Sequence, residues 1–385
     1  MRLGILTTHP IQYQAPWFRA LAQQVDLQVF FACQPDARVQ GTGFGLPFTW
    51  DIDLLSGYPH EFLNNAARNP DLISYNGCDT PEIAVIIARG GFDAFIVCGW
   101  QHHCYWQAIR ACRRAGVPVL VRGDSQLHTP RSRWKKLAKE VAYRLMLRQF
   151  DGFLCVGRRN REYLAHYGVL DERIFPAPHF IDNAWFALRA QTSRREWTRA
   201  AWGCETGDVI ALFVGKFIPK KRPADLIDAV AMLPQTERPV IVMVGAGELM
   251  ETVRQQAEKM GIHVVFAGFK NQSELPACYS AADVLVLPSD GGETWGLVVN
   301  EAMACGTPAI VSDACGCSPD LIDEGTSGFA FPTGDIAALA KCLQQVTTIT
   351  RRGHDWQPAL KDKLADYSVE ACTRGTLEAI KAVSK

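Results

Sequence analysis

No apolar run in this chain reaches the roughly 18 residues that a membrane-spanning helix needs, so a transmembrane anchor is not expected. Neither sign of charge is in excess: 40 Lys plus Arg stand against 40 Asp plus Glu. General nucleic-acid affinity needs a basic surplus to displace counterions, so that class is excluded. The 13 cysteines include no CxxC pair, and only Cys315 and Cys317 lie two apart. A disulfide framework or zinc site is therefore not expected, and a reducing cytoplasm is. The opening MRLGILTTHPIQYQ has no small-residue cleavage pattern and reads as a first strand rather than a signal peptide. No GxGxxG turn follows that strand, which argues against a nicotinamide dehydrogenase. Repeats of 20–50 residues and low-complexity tracts are also missing.

What remains is alternation. Short β-rich apolar runs trade places with longer segments of helical period, the pattern of parallel α/β construction. In the first half, strands are expected at Leu3–Thr8, Leu27–Ala32, Ala94–Cys98, Val117–Val121 and Gly152–Val156, with helices such as Trp17–Gln24 and Tyr105–Ala115 between them. The latter helix stops at Gly116, before Pro118. The pattern then restarts with Ile210–Gly215, Val240–Gly245, Val264–Ala267, Val284–Pro288 and Ala309–Ser312. Two successive doubly wound units are implied. The join is expected between about 180 and 207, where RAQTSRREWTRA and GCETGD are polar and turn-like.

Two segments carry chemistry. In PSDGGETWGLVVNEAMACGTPAIVS, residues 288–312, a strand ends, a glycine-containing loop follows, and a helix is expected from about Gly296 to Cys305. A helix that starts at the C-terminal end of a parallel strand offers free N–H groups to an anion, so the amides of Leu297 and Val298 suit a diphosphate. Glu293 and Glu301 flank that turn, and carboxylates beside a phosphate site are best used on sugar and ribose hydroxyls. In VGKFIPKKRPADLIDA, residues 214–229, Lys216, Lys220, Lys221 and Arg222 crowd a short loop after a strand. Ligands of open α/β sheets bind there, and cations there can neutralise a departing diphosphate. Taken singly, these segments read as solvated glutamates and a solvated basic turn. Together they rim one crevice, as a nucleoside diphosphate sugar requires.

At these residues the sequence resembles the family 4 glycosyltransferases, retaining enzymes of the GT-B fold, in which two Rossmann-like domains face a central cleft. Their Glu–seven residues–Glu motif matches Glu293 and Glu301, and their basic pair matches Lys216 and Lys221. VMVGAGELMETV and VVFAGFKNQSELPACYSAADVLVLPS are similar to the family's donor-base region, and SGFAFPTGDIAALA to its distal strand and helix. The likeness is dense from about 210 to 340. It implies that Lys216 and Lys221, after Gly215, bind the diphosphate and stabilise the leaving group. It assigns Thr294, Trp295, Gly296, Leu297 and Val298 to the donor, Glu293 to hydroxyls of the transferred sugar and Glu301 to the ribose. Gly245, Gly247, Phe269, Lys270 and Leu275 would surround the base. Arg222 stands where the family often has glycine.

The resemblance also implies an acceptor-binding domain over 1–185, a nucleotide-sugar domain over 186–365, and a helix over 366–385 that crosses back to the first. The first half matches more loosely. Its THPIQYQAP loop has no glycine where relatives often have several, and RGDSQ stands where many have histidine. Arg122 and Asp124 are candidates to replace that histidine near sugar or acceptor, the alternative being a structural turn.

Other candidates follow. One of His102 and His103 is a candidate for the acceptor cleft; adjacent side chains diverge on a helix, so a shared metal site is not expected. His9, Tyr13, Trp17, Trp100 and Trp106 suit an aromatic acceptor surface or, equally, core packing. Asp51 and Asp53 form a DxD pattern, but WDIDLLSGY reads as a strand or turn rather than a metal site. In Arg131–Arg148, apolar Trp134, Leu137, Ala138, Val141 and Leu145 recur at helical spacing, with Lys and Arg on the other face. Such a stripe suits contact with anionic lipid, although a core-facing role is the favoured reading.

The resulting expectation is a metal-independent, retaining hexosyltransferase without cofactor, in the cytoplasm or peripheral at the inner membrane face. UDP-sugar is the favoured donor and GDP-sugar the alternative; the acceptor hydroxyl belongs to a glycan, a lipid-linked sugar or a small metabolite. The rivals are a sugar-nucleotide epimerase or phosphorylase on the same fold and a catalytically silent sugar-nucleotide-binding paralogue.

Overall fold

A computed structural model describes residues 1–129 and 132–384. The first sheet contains β1 (Arg2–Thr7), β2 (Asp26–Phe31), β3 (His60–Phe62), β4 (Ala94–Val97), β5 (Val119–Gly123), β6 (Gly152–Cys155) and β7 (Ile174–Pro176). Their spatial order is β3-β2-β1-β4-β5-β6-β7, and every pair is parallel. The second contains β8 (Ile210–Val214), β9 (Val240–Val244), β10 (Val264–Gly268), β11 (Val284–Leu287), β12 (Ala309–Ser312) and β13 (Gly328–Phe331). Its order is β10-β9-β8-β11-β12-β13, again all parallel.

Helices cover both faces of the first sheet, so its strands are apolar on both sides. Leu6, Phe30, Val97 and Phe153 enter one buried cluster, while Ile5, Val29, Ile96 and Leu154 enter the other. That division follows from the two-residue side-chain period of a strand. In each sheet the strand order reverses once, between β1 and β4 and between β8 and β11. Crevices open at such reversals, outside the carboxyl ends of the strands.

The chain crosses between domains earlier and more sharply than the polar composition of 180–207 indicates. The helices Asn183–Thr192 and Arg195–Ala201 fill most of that stretch, and Phe186 and Trp202 join the core of the second domain. An Asp182 side chain accepts from the Trp185 N–H and starts the first of them. A polar surface hid an inner face that packs.

The chain returns through the helix Val369–Val383, which places Cys372, Ala379 and Ile380 in the core of the first domain. Gly375 permits the approach: a Cβ there would lie 1.6 Å from the Pro176 carbonyl oxygen. The short strands β3 and β7, three residues each, were not anticipated, because so few residues show no readable period.

One reading is overturned. Trp134, Val141 and Leu145 are 82%, 68% and 56% exposed, so these three residues of the stripe do not face the core; the side chains of Leu137 and Ala138 lie outside the described ones. The helix Arg133–Met146 instead turns Lys139, Tyr143 and Met146 inward, with the Lys139 ammonium over the rings of Tyr143 and Tyr163. Arg131 lies outside the described residues.

Candidate active site

The site begins at the reversal between β8 and β11. All five residues of β8 are buried, and the chain leaves the sheet through Gly215 into the turn that carries Lys216, Lys220 and Lys221. The loop after β9 packs directly on this turn. Gly245 (φ 137°) allows it, since a Cβ there would sit 1.9 Å from the Gly215 carbonyl oxygen. Gly247 is held against the Phe217 backbone, where a Cβ would sit 2.7 Å from the amide nitrogen. Arg222 closes the turn at φ 49°, the one non-glycine residue with positive φ among the described residues. Its guanidinium anchors to Asp225 at 2.7 Å. Where relatives often carry glycine, this chain keeps the glycine-like conformation at a strain of order 1–2 kcal/mol.

The turn grips the loop after β11. Lys221 Nζ lies 2.6 Å from Glu293 Oε2, and Lys220 Nζ lies 3.7 Å from the same oxygen. The Asp290 N–H donates to the Lys220 carbonyl at 2.8 Å. Burial by itself would push the Glu293 carboxyl up, but Lys221 and then Lys220 outweigh it and hold it below the usual carboxylate range. Burial is also the main influence on Lys216, drawing its ammonium below the usual lysine value with help from Lys220 and Lys221. Three cations and one carboxylate thus share a small volume, which needs a further anion to balance it.

Beside them, the Leu297 and Val298 N–H groups donate to no acceptor among the described residues. The helix that follows, Val298–Ala304, is shorter than expected, because Gly296 and Leu297 form a turn before it. Glu301 is fully buried on that helix. It accepts from the Tyr279 hydroxyl at 2.5 Å and from the Tyr13 hydroxyl of the first domain at 3.3 Å. Burial pushes its carboxyl up to about 7, against the lowering pull of those hydroxyls.

Trp295 departs from a donor-contact role. It is 3% exposed, donates its indole N–H to Asn300, and packs against His179 and Tyr367. A side chain held by these neighbours braces the loop. Leu275 is likewise a buried core residue, and Lys270 pairs with Glu274 at 3.0 Å. Thr294 donates to Asp124 of the first domain at 2.6 Å.

Opposite, at the reversal between β1 and β4, lies a cavity walled by Tyr13, Gln14, Trp17, Trp100, Gln101, Arg122, Asp124, His179 and, from the second domain, Leu297. Arg122 is buried there. It donates to the Pro178 carbonyl at 3.0 Å and stands over the rings of Trp17 and Phe180. Burial first, and Arg122 second, push the His179 imidazole well below its ordinary range. His9, drawn down to about 4 by burial and then by His102, and His102 are not among the cavity walls. His102 directs Nδ1 to the Ser74 carbonyl at 3.0 Å, and His103 faces Asp79. Trp106 donates to the Trp100 carbonyl.

Asp51 and Asp53 lie in a turn, not a strand. Asp53 accepts from the Leu55 and Ser56 N–H groups, and Asp51 from Ser273. No cluster of three or more metal-ligating side chains occurs among the described residues, and all 13 cysteines are free thiols.

Sequence reasoning missed the cross-domain contacts. The Gln126 amide donates to the carbonyls of Gly291, Glu293 and Ala314, and nothing in its sequence neighbourhood announces that. It also missed residues 42–51, although a loop with Phe44, Phe48 and Trp50 was a signal of buried contact.

Residues 194–362 match the model of the family described as glycosyl transferases group 1. Over 197 residues the chain is 32% identical to D-inositol 3-phosphate glycosyltransferase of Mycolicibacterium smegmatis, covering 49% of this chain and 42% of that protein. Over 194 residues it is 30% identical to 2-deoxystreptamine N-acetyl-D-glucosaminyltransferase of Streptomyces fradiae, covering 48% and 45%. The chain thus aligns with less than half the length of these curated relatives. Its structure is similar to Anabaena HepE in complex with UDP, with a TM-score of 0.75, 17% identity, and 99% and 100% of the two chains covered. The architecture is the GT-B fold.

Proposed function

We propose, from the match of residues 194–362 to the glycosyl transferases group 1 model, that this protein transfers a sugar from a nucleoside diphosphate to an acceptor hydroxyl with retention. The observation that carries this reading is the pairing of Lys220 and Lys221 with Glu293, with Lys216 on the same turn, beside the unpaired Leu297 and Val298 amides. The excess of positive charge suits a pyrophosphate, which makes charge-assisted bonds to ammonium groups and to backbone N–H.

In this mechanism the bond from the anomeric carbon to the phosphate oxygen breaks first, and its electron pair leaves with the diphosphate. Lys216 and Lys221 stabilise that charge. The acceptor oxygen attacks from the same face, and its proton passes to the departing phosphate. Preorganised cations acting where charge develops supply most of the rate, with positioning by the closed cleft. Glu293, released from Lys221 by the incoming phosphate, accepts from hydroxyls of the transferred sugar. Glu301 is reached by the ribose only if Tyr13 yields its place.

A UDP-sugar is the favoured donor; the similar Anabaena protein binds UDP, and the aromatic Phe269 beside the donor loops suits a base. No metal is required in this reading, because lysines carry the neutralising charge and Asp51 and Asp53 are committed to hydrogen bonds within the protein. Activity that survives EDTA is the expected result. The acceptor enters the cavity of Trp17, Trp100 and Arg122.

The deciding experiment is a thermal-shift screen with UDP-, GDP-, ADP- and TDP-sugars, followed by a product assay with and without added acceptor. Ligand that binds only the folded state raises its stability in proportion to the logarithm of concentration over Kd. Transfer only with acceptor supports the reading; product without acceptor identifies an epimerase, and binding without turnover a silent paralogue.

No helix among the described residues is long and apolar enough to cross a membrane. A peripheral contact is supported by the outward Trp134, Val141 and Leu145, and the cytoplasmic membrane face is the location we propose. Sedimentation with anionic vesicles, lost on Trp134→Ser, tests it.

A further inference from the structure

Residues 36–53 of the first domain form a loop closed on itself. Asp36 caps its short helix Ala37–Gln40, and the Phe48 N–H returns to the Ala37 carbonyl at 3.0 Å. From there the loop reaches across the cleft to donor-side elements of the second domain. The Thr42 carbonyl accepts from Lys216 Nζ at 2.6 Å, and the same ammonium stands 4.8 Å above the Phe44 ring. Phe44 and Phe48 pack on Phe269 with ring centroids 5.1 and 4.7 Å away. Farther along, Asn271 donates to the Thr49 carbonyl at 2.7 Å, and Ser273 donates its N–H to Asp51 at 3.1 Å.

We infer that residues 42–51 are an autoinhibitory strap that occupies Lys216 and covers Phe269 until a nucleoside diphosphate displaces it. This rests on the reading of Lys216 as a diphosphate ligand. The exchange is favourable because a phosphate oxygen carries charge and a backbone carbonyl does not, so the ammonium gains an ion pair in place of a bond to a neutral acceptor. The contacts of Asp51 with Ser273 and of Thr49 with Asn271 are the latch that sets how readily the strap lifts. They touch no group assigned to the donor, so loosening them alters the resting state and leaves the nucleotide's contacts intact. A ligand gains affinity when the state that binds it becomes more populated.

The test is calorimetric titration of the full chain with UDP, GDP and ADP, comparing wild type with Asp51→Ala, Asp51→Asn and Asn271→Ala. Asp51 is exposed, so its substitution does not threaten folding. A three- to tenfold tightening of nucleotide binding is expected in the Ala variants and less in Asp51→Asn. Chymotrypsin cleavage after Phe44, Phe48 or Trp50 should rise in the Ala variants and, on adding nucleotide, in wild type. Unchanged or weaker binding in the variants overturns the strap alone and makes the loop inert or part of the base pocket. Failure of every protein, wild type included, to bind any of the three nucleotides overturns the strap and the functional reading together.

Discussion

The two walls of the cleft solve different problems. The wall of the second domain concentrates charge: three lysines leave one turn, two of them pair with Glu293 of the neighbouring loop, and the balance is positive. The wall of the first domain is built of shape, with Trp17, Trp100 and Phe180 around a single buried guanidinium, and with His179 held neutral by burial and by Arg122. Charge is needed where a diphosphate leaves, because that is where it accumulates. An acceptor hydroxyl brings none, so stacking surface and position serve it instead. On the proposed function, the difference teaches that donor chemistry would sit in a compact stretch of chain and acceptor choice in dispersed side chains.

The comparison is broken most severely at Lys221. Lys221→Ala removes a charge-assisted contact worth about 1.5–3 kcal/mol in the transition state, so turnover should fall roughly 10- to 150-fold. It also leaves buried Glu293 short of a partner, at a cost of about 3 kcal/mol in stability, which Lys221→Ala/Glu293→Gln should partly restore. Steady-state kinetics and urea unfolding measure the two effects, and wild-type turnover would remove Lys221 from the mechanism.

Glu301 sharpens the contrast through pH. Folded Glu301 keeps its proton to about 7, whereas an unfolded glutamate releases it near the ordinary 4.5. Between those values the folded state binds more protons at this residue, so its contribution to stability is fully present below about 4.5 and is lost as pH rises toward 7. The loss attributable to this residue is on the order of 3 kcal/mol. Denaturant midpoints of wild type and Glu301→Gln against pH should therefore converge at low pH and separate near neutrality; parallel curves would show that Glu301 ionises normally.

Arg122→Met examines the other wall. It should cost about 1.5–3 kcal/mol from the lost bond to Pro178 and raise the KM for acceptor, while the Kd for UDP stays within about twofold. A large shift in that Kd would mean that the walls are not divided as described. The smallest effect is expected at Arg222. Arg222→Gly relieves the left-handed strain but gives up the ion pair with Asp225, so calorimetry should find a net change below about 1 kcal/mol.

Much of the second domain was legible because its signals are local. A buried parallel strand is a continuous apolar run, and the turn that follows announces itself by glycine, lysine and proline. The expected β12 coincides with the observed one at both ends, and the other strands of that sheet that were anticipated start where expected and differ by one residue at the far end. The stretch 183–201 shows the limit: its polar face suggested a linker, while Phe186 and Trp202 fill a core that only the folded domain supplies. The outward Trp134, Val141 and Leu145 show it again. Helical spacing identifies a face, but Lys139 between two tyrosines decided which face turned in.

Alternation of apolar runs with helical segments determined by itself that the sheets are parallel and that their loops, with Lys216, Lys221 and Glu293, gather at the carboxyl ends of the strands. Only the tertiary structure decided what those side chains meet: Lys216 the carbonyl of Thr42, Glu301 the hydroxyl of Tyr13, Thr294 the carboxylate of Asp124. The reason is range. Periodicity and turn chemistry act between near neighbours in the chain, whereas these partners lie 170 to 288 residues apart and come together only when two independently packed domains close on each other.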